Sequence, residues 1–549
     1  MGLTALLYAG VRLALETPRH VAGPAVTLAP TALPWYASLS LGRMAAAYLL
    51  SLLFTFACGA VAASSRRAEQ VLLPVLDVLQ SVPILSFLPV VLLSFSAVLP
   101  QALAAELASI VLIFTSQVWN LTFAWYQALT TIPRDLAEAS TIFRLPAWLR
   151  FRTLELPFGA GSLVWNSMVS WAGGWFFLMA AEIFTVGERD FRLPGLGSYL
   201  KEAARAGDRT ATLWGLLALV ALIAALDQLV WRPLVSWADR FRFESVGGDP
   251  PVTNWALRAA RGSRGVAWLR ERVAAPALDA LDRAMVRRAG GATAARPAPA
   301  RGRRVAWRGL EAAAALLLAY GAARAAILLG RLPAGAWASL GPALGATLGR
   351  VLLSVALAIA WTVPVGVWIG SRPRVAAALQ PVVQIAASVP ATALFPLLVS
   401  VLLRAPGGLG VAAVGLMLLG TQWYLLFNVI AGTTAIPRDL RHAAALLQLG
   451  CVDRWRALVL PALVPYVVTG ALAAAGGAWN ASVVAEYVDL GGRSVSTVGI
   501  GALIVEATAA GDYPLLLAAT LAMVLTVVAF NRLLWRRLHR AAESRFRMD

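Results

Sequence analysis

A chain of 549 residues with 59% hydrophobic and only 14% charged residues, and a mean hydropathy of +0.71, excludes a soluble globular protein. The net charge of +19 is almost all arginine, with Lys201 the single lysine, and it falls between apolar stretches. That is the positive-inside pattern of membrane loops and not a nucleic-acid surface. Two cysteines, Cys58 and Cys451, and three scattered histidines, His20, His442 and His539, give neither a disulfide framework nor a metal site.

The first apolar run, near 3–15, has no basic n-region or small-x-small site, so a cleavable signal peptide is not expected. Stretches of about 20 apolar residues, enough to cross a bilayer, follow near 38–63, 71–97, 103–127, 157–184 and 210–232. A second set lies near 344–370, 378–403, 408–431, 461–486 and 513–534. An extra span near 308–330 precedes the second set, with a shorter counterpart at 3–16. The pattern predicts an all-α polytopic membrane protein with about six spans per half and about 12 in total. Pro83 and Pro390 are expected to break the second span of each set and free backbone groups near its centre.

The two sets are copies. A shift of 304 residues carries "IPRDL" at 132–136 onto 436–440, Trp175 onto Trp479, Ala181-Glu182 onto Ala485-Glu486, and Gly195 and Gly197 onto Gly499 and Gly501. Upstream, a shift of 307 carries Leu41-Gly42-Arg43 onto Leu348-Gly349-Arg350 and Ser81-Val82-Pro83 onto Ser388-Val389-Pro390. A repeat of this length is a tandem duplication. It divides the chain into 1–245, a basic Pro/Ala/Arg-rich linker at 246–307 expected to be flexible or partly helical, and 308–549. An even number of spans per half gives both halves one orientation, with a pseudo-twofold axis along the membrane normal and a pathway on that axis. The linker and both "IPRDL" loops then share the cytoplasmic side.

Each duplicated loop is too polar for lipid. Pro133 suits the first turn of a short amphipathic helix, and a basic segment ending in Leu-Pro follows at 156–157 and 460–461. Glu138-Ala139 with Leu154 to Pro157 resembles the EAA loop of ABC importer permeases, whose pattern is Glu-Ala-Ala, three residues, Gly, nine residues, Ile-x-Leu-Pro. Arg144 stands at the Gly position of the first copy. In the second copy His442-Ala443 opens the motif, Gln448 holds the Gly position and Leu460-Pro461 closes it. The Pro-interrupted spans and the segments "AAEIF…LPGLGSYL" and "VAEYV…VGIGALI" are similar to the nitrate, sulfonate, taurine and bicarbonate group of that family. The resemblance implies a plasma-membrane permease subunit, two ATP-hydrolysing ABC subunits beneath the loops, and an outer substrate-binding protein. It implies that Pro133, Arg134, Asp135, Glu138, Ala139, Arg144, Leu156 and Pro157, with Pro437, Arg438, Asp439, His442, Ala443, Gln448, Leu460 and Pro461, couple to the ATPases.

No Walker A loop is possible in the chain, because Glu202 follows the only lysine. ATP is therefore expected on the partner subunits, and no cofactor in this chain. Polar residues inside spans are the pathway candidates: Gln80, Ser81, Gln117, Asn120, Asn166, Ser167 and Glu182, then Gln384, Ser388, Gln422, Asn480, Ser482 and Glu486. For the two glutamates the competing role is an interfacial carboxylate paired with arginine; for the uncharged residues it is helix-to-helix hydrogen bonding. The other functional class compatible with parallel repeats is an ion-coupled secondary transporter, for which Asp77 and Asp227 are the relay candidates. A non-transporting scaffold is the remaining alternative.

Overall fold

The structure, a computed structural model, describes residues 25–80, 82–186, 189–241, 268, 271–272, 275–292, 316, 319–402, 408–490 and 493–546. The run at 3–16 and Ser81 lie outside the described residues. The fold is all-α. The only strands among the described residues form two short antiparallel hairpins, Thr185–Val186 with Arg189–Asp190 and Tyr487–Leu490 with Arg493–Ser496.

Each half is a three-helix stack with smaller helices around it. In the first half Leu33–Ser64 packs on Gln101–Thr130, which packs on Leu156–Glu182. In the second, Ala334–Gly370, Gly408–Ala435 and Leu460–Ala485 repeat that order. Seven helices among the described residues are long and apolar enough to cross a membrane, and Ile84–Val98, Ala319–Leu329 and Ile500–Ala510 are shorter apolar helices. Of the extra span expected near 308–330, the described part is Ala319–Leu329.

Small residues set the packing distance. The buried stripe of Leu33–Ser64 runs Tyr36, Ser40, Arg43, Met44, Ala47, Ser51, Thr55, Gly59 and Ala62 at helical spacing. Without a hydrophobic force between helices in lipid, close approach over such residues supplies the contact. Gly59 and Gly159 bracket the buried Trp125 ring: a Cβ on either would come within 2.5 Å or 2.7 Å of it. In the second half Gly366 keeps the glycine, while Val429 and Leu463 replace the Trp125–Gly159 pair. The large residue has moved to the other side of the contact.

The expected proline breaks are present. In place of one span at 71–97 the chain forms Arg66–Gln80 and Ile84–Val98, and in place of 378–403 it forms Pro373–Ser388 and Ala391–Leu402. The largest buried cluster draws Ile84, Leu85, Leu88 and Ala181 of the first half together with Leu416, Trp479, Ile500 and Met523 of the second. One core therefore spans both copies. Across this seam Asn480 Oδ1 accepts from the backbone N–H groups of Ile84 and Leu85. Pro83 offers no side-chain cap to the helix it opens, so the partner half satisfies the orphan donors.

Candidate functional site

The two "IPRDL" loops fold alike. Pro133 and Pro437 are the N-caps and not first-turn residues, so the helices run Arg134–Ile142 and Arg438–Leu446. Asp135 and Asp439 sit in the first turns, where a carboxylate complements the helix N-terminus. Both helices end in the same motif. Leu145 N donates to Ser140 O at 3.1 Å and Arg144 N to Thr141 O at 3.0 Å; Leu449 N donates to Ala444 O at 3.1 Å and Gln448 N to Ala445 O at 3.0 Å. This double bond pattern requires a left-handed residue past the helix end, and Arg144 and Gln448 both have φ +48°.

The outer faces of these helices are bare. Ile142 and Phe143 are 77% and 75% exposed, and their counterparts Leu446 and Leu447 are 84% and 72% exposed. Pro133, Arg134, Asp135, Glu138 and Arg144 are exposed, as are Pro437, Asp439, His442, Ala443 and Gln448, while Ala139 is half-buried. Each copy thus exposes two large apolar side chains at equivalent positions, the kind of patch that marks an interaction site. The structure gathers the motif residues of each copy on one short helix and its ends, with Arg144 and Gln448 just past it, and Leu156-Pro157 and Leu460-Pro461 beginning the next long helix. A π turn precedes each Leu-Pro, at Phe151–Glu155 and Trp455–Val459.

Glu182 and Glu486 are fully buried at equivalent clamps. Glu182 accepts from Ser40 Oγ at 2.6 Å, Arg43 Nη1 at 2.8 Å and Gly197 N at 2.7 Å. Glu486 accepts from Thr347 Oγ1 at 2.7 Å, Arg350 Nη1 at 2.7 Å and Gly501 N at 2.9 Å. Gly195 and Gly499 let the chain pass over each carboxylate, since a Cβ there would lie 2.3 Å and 2.1 Å from its oxygens. Each clamp ties the first long helix of its half to the turn after the last one of the stack. Arg43 holds a second carboxylate, Glu106, through Nε at 2.7 Å and Nη2 at 2.6 Å. Glu106 falls on Gly410 in the second copy, and Arg350 instead donates to Thr497 Oγ1 at 3.0 Å. The sequence reading missed Ser40, Arg43, Glu106, Thr347 and Arg350. Arg43 and Arg350 could have been found by their register, because an arginine kept at the same place inside both apolar spans needs a buried acid.

A cavity of about 240 Å³ lies where the halves meet. Residues at equivalent positions of the two halves line it together: Leu88 and Phe395, Ile183 and Tyr487, Lys201 and Val505. Lining by both members of each pair is what a cavity on the expected pseudo-twofold axis requires. Its walls are apolar except at one edge, where Lys201 donates to Ile183 O at 2.9 Å and Arg205 pairs with Glu202. Burial alone would raise the Glu202 carboxyl, but Arg205 and Arg192 overcome that and hold it below its usual range. Thr392, the counterpart of Leu85, carries a buried hydroxyl with no hydrogen-bond partner among the described residues.

The other pathway candidates are scattered around the seam. Gln117 is fully buried with neither amide atom partnered among the described residues, and a Cβ on Gly174 would lie 2.8 Å from its Nε2. Ser167 accepts from Tyr48 OH at 2.8 Å, Asn166 donates to Ser162 O at 2.9 Å, and Ser482 donates to Trp479 O at 2.8 Å. Gln384 reaches across the seam to Met168 Sδ at 2.9 Å and Asp227 at 3.4 Å. Gln80 and Asn120 are exposed, Gln422 is half-buried, and Ser388 ends its helix. None of these, nor Asn480, lines the cavity. Asp227 pairs with Arg232 at 3.0 Å, and Asp77 pairs with Arg536.

The chain matches the family described as binding-protein-dependent transport system inner membrane component twice, over residues 55–230 and 362–548. It is similar to the nitrate import permease protein NrtB of Leptolyngbya laminosa, 30% identical over 169 residues, 31% of this chain and 57% of that protein. The bicarbonate transport system permease protein CmpB of Synechocystis sp. is 31% identical over 163 residues, 30% of this chain and 55% of that protein. The taurine transport system permease protein TauC of Escherichia coli is 27% identical over 165 residues, 30% of this chain and 56% of that protein. Each alignment thus covers a little over half of the relative's length. The doubled match, the apolar helices and the paired loops together make this chain a member of the binding-protein-dependent transport system inner membrane component family, a multi-pass inner-membrane transport permease with two family repeats in one polypeptide.

Proposed function

We propose that this chain is the whole translocation pathway of an ATP-driven importer, coupled to two separate ABC ATPase subunits on the cytoplasmic side and fed by an outer binding protein. The observation that carries the reading is the matched pair of short helices, each offering two exposed apolar residues at equivalent positions. Clefts on the ATPases receive them. When ATP draws the ATPases together, the helices move as levers, and a rigid-body shift of the halves opens the axis cavity to the other side. ATP stays on the partners, and this chain contributes no hydrolytic site.

The cargo is a small anion such as nitrate, a sulfonate like taurine, or bicarbonate. The names of the relatives and the basic edge of the cavity at Lys201 and Arg205 support that class. For an ion-coupled transporter the acids should stand along the pathway; Asp77 and Asp227 are instead held by arginines. The test is recovery of the tagged chain from native membranes with mass identification of what accompanies it. An ATPase at two copies per chain, lost in the Phe143→Glu/Leu447→Glu variant, is the expected result. Recovery of the chain without any ATPase, and uptake driven by a proton gradient alone, would overturn the reading.

A further inference from the structure

The linker between the repeats is not a plain tether. Its helix Ala275–Ala292 packs against the segment Ala147–Arg150, which follows the first short loop helix. Asp282 accepts from Trp148 Nε1 at 2.7 Å and pairs with the Arg152 guanidinium. Two donors from the loop of the first repeat therefore converge on one carboxylate of the linker.

Among the described residues the second repeat has no such cover. Trp148 falls on Val452, which is 62% exposed, although Arg152 falls on another arginine, Arg456. The same surface is thus half-covered on one side and open on the other. The linker helix is also left incomplete by this contact. Leu278 and Val286 lie four residues either side of Asp282, on the same helical face, and both remain exposed. The polar clip positions the helix without burying its apolar flanks. Trp148, which it grips, is five residues beyond the exposed Phe143.

We infer that the linker helix is part of the docking surface for the ATPase subunit under the first repeat, so that the two ATPase positions on this chain are chemically unequal. The occupant of the Leu278–Val286 face is that ATPase subunit, because the helix that bears it packs on Ala147–Arg150, in the same loop as Ile142 and Phe143. The inequality extends to the motif itself, with Glu138 exposed on the braced side and His442 on the open side. A chain made of two identical, unlinked copies could not discriminate its two ATPase positions in this way.

The inference rests on the importer reading, and one experiment separates the two. A photoreactive phenylalanine analogue is placed singly at Phe143, Leu447, Leu278 or Val286 in the full chain, and native membranes are irradiated. Crosslinks to an ATPase from Phe143 and Leu447 test the importer reading. Crosslinks from Leu278 and Val286 as well, reduced at least severalfold by Asp282→Ala while Leu447 is unaffected, support the inference. Crosslinks from Phe143 and Leu447 alone overturn it and leave the importer standing. Crosslinks from Leu278 that persist unchanged in Asp282→Ala overturn the positioning role of Asp282, and no ATPase crosslink at any site overturns both.

Discussion

Arg144 and Gln448 show what a single residue can cost. A non-glycine in the left-handed region costs about 1–2 kcal/mol; glycine removes that strain but gives back about 0.5–1 kcal/mol to the greater freedom of its unfolded chain. Arg144→Gly and Gln448→Gly should therefore each stabilise the protein by about 0.5–1 kcal/mol, visible as a small rise in melting temperature in nanodiscs. A fall would mean that the long side chains make contacts worth more than the strain. The sequence showed these positions only as a departure from a family glycine; the positive φ explains why glycine suits them. The buried clamps allow a sharper comparison. Removing one partner of a buried pair leaves a stranded charge, typically at about 3–5 kcal/mol. Glu182→Gln leaves Arg43 its second carboxylate, Glu106, whereas Glu486→Gln leaves Arg350 only hydroxyl and carbonyl partners among the described residues. Glu486→Gln should lower the melting temperature more than Glu182→Gln, and adding Arg350→Met should restore part of the loss. Equal losses in the two singles would deny Glu106 its compensating role.

At the scale of elements, the broken spans were legible because proline removes a donor and clashes with the preceding turn wherever it falls. The π turns were not. Leu-Pro at 156–157 and 460–461 reads as a helix start, yet the helix is continuous through it from Ala147 and from Cys451. The chain accommodates the ring by widening the turn just before it, at Phe151–Glu155 and Trp455–Val459. A second pair of π turns, at Asp227–Trp231 and Asn531–Trp535, has Pro233 after the first but Arg536-Arg537 after the second. The second of these turns therefore forms without a proline, with the buried Trp535 at its end. No residue of Phe151–Glu155 is buried, so in that turn the proline is the cause. Pro157→Ala should convert it to a regular helix, measured as slower hydrogen exchange of the amides at 153–156. Unchanged exchange would place the cause in the neighbouring helices instead.

At the scale of the molecule, the duplication was legible in the register of the copies, but the differences between copies carry meaning only once the fold brings them face to face. Lys201 and Val505, or Thr392 and Leu85, are ordinary divergence in an alignment; as lining of one cavity they make its two sides unlike. The halves are nonetheless one folding unit at the seam, because the largest core cluster takes residues from both. The linker then serves mainly to raise the effective concentration of one half near the other and is not what holds them together. Cutting the gene within 246–307 and expressing the two pieces with separate tags should give halves that purify together in mild detergent. Asn480→Ala should weaken that recovery, since it strips the partner-supplied cap from Ile84 and Leu85 and leaves buried N–H groups without acceptors, at about 1–3 kcal/mol. Each half running alone on the column would show that the shared core is too weak to assemble without the covalent link, and would move the burden of assembly onto the linker helix and its grip on Trp148 and Arg152.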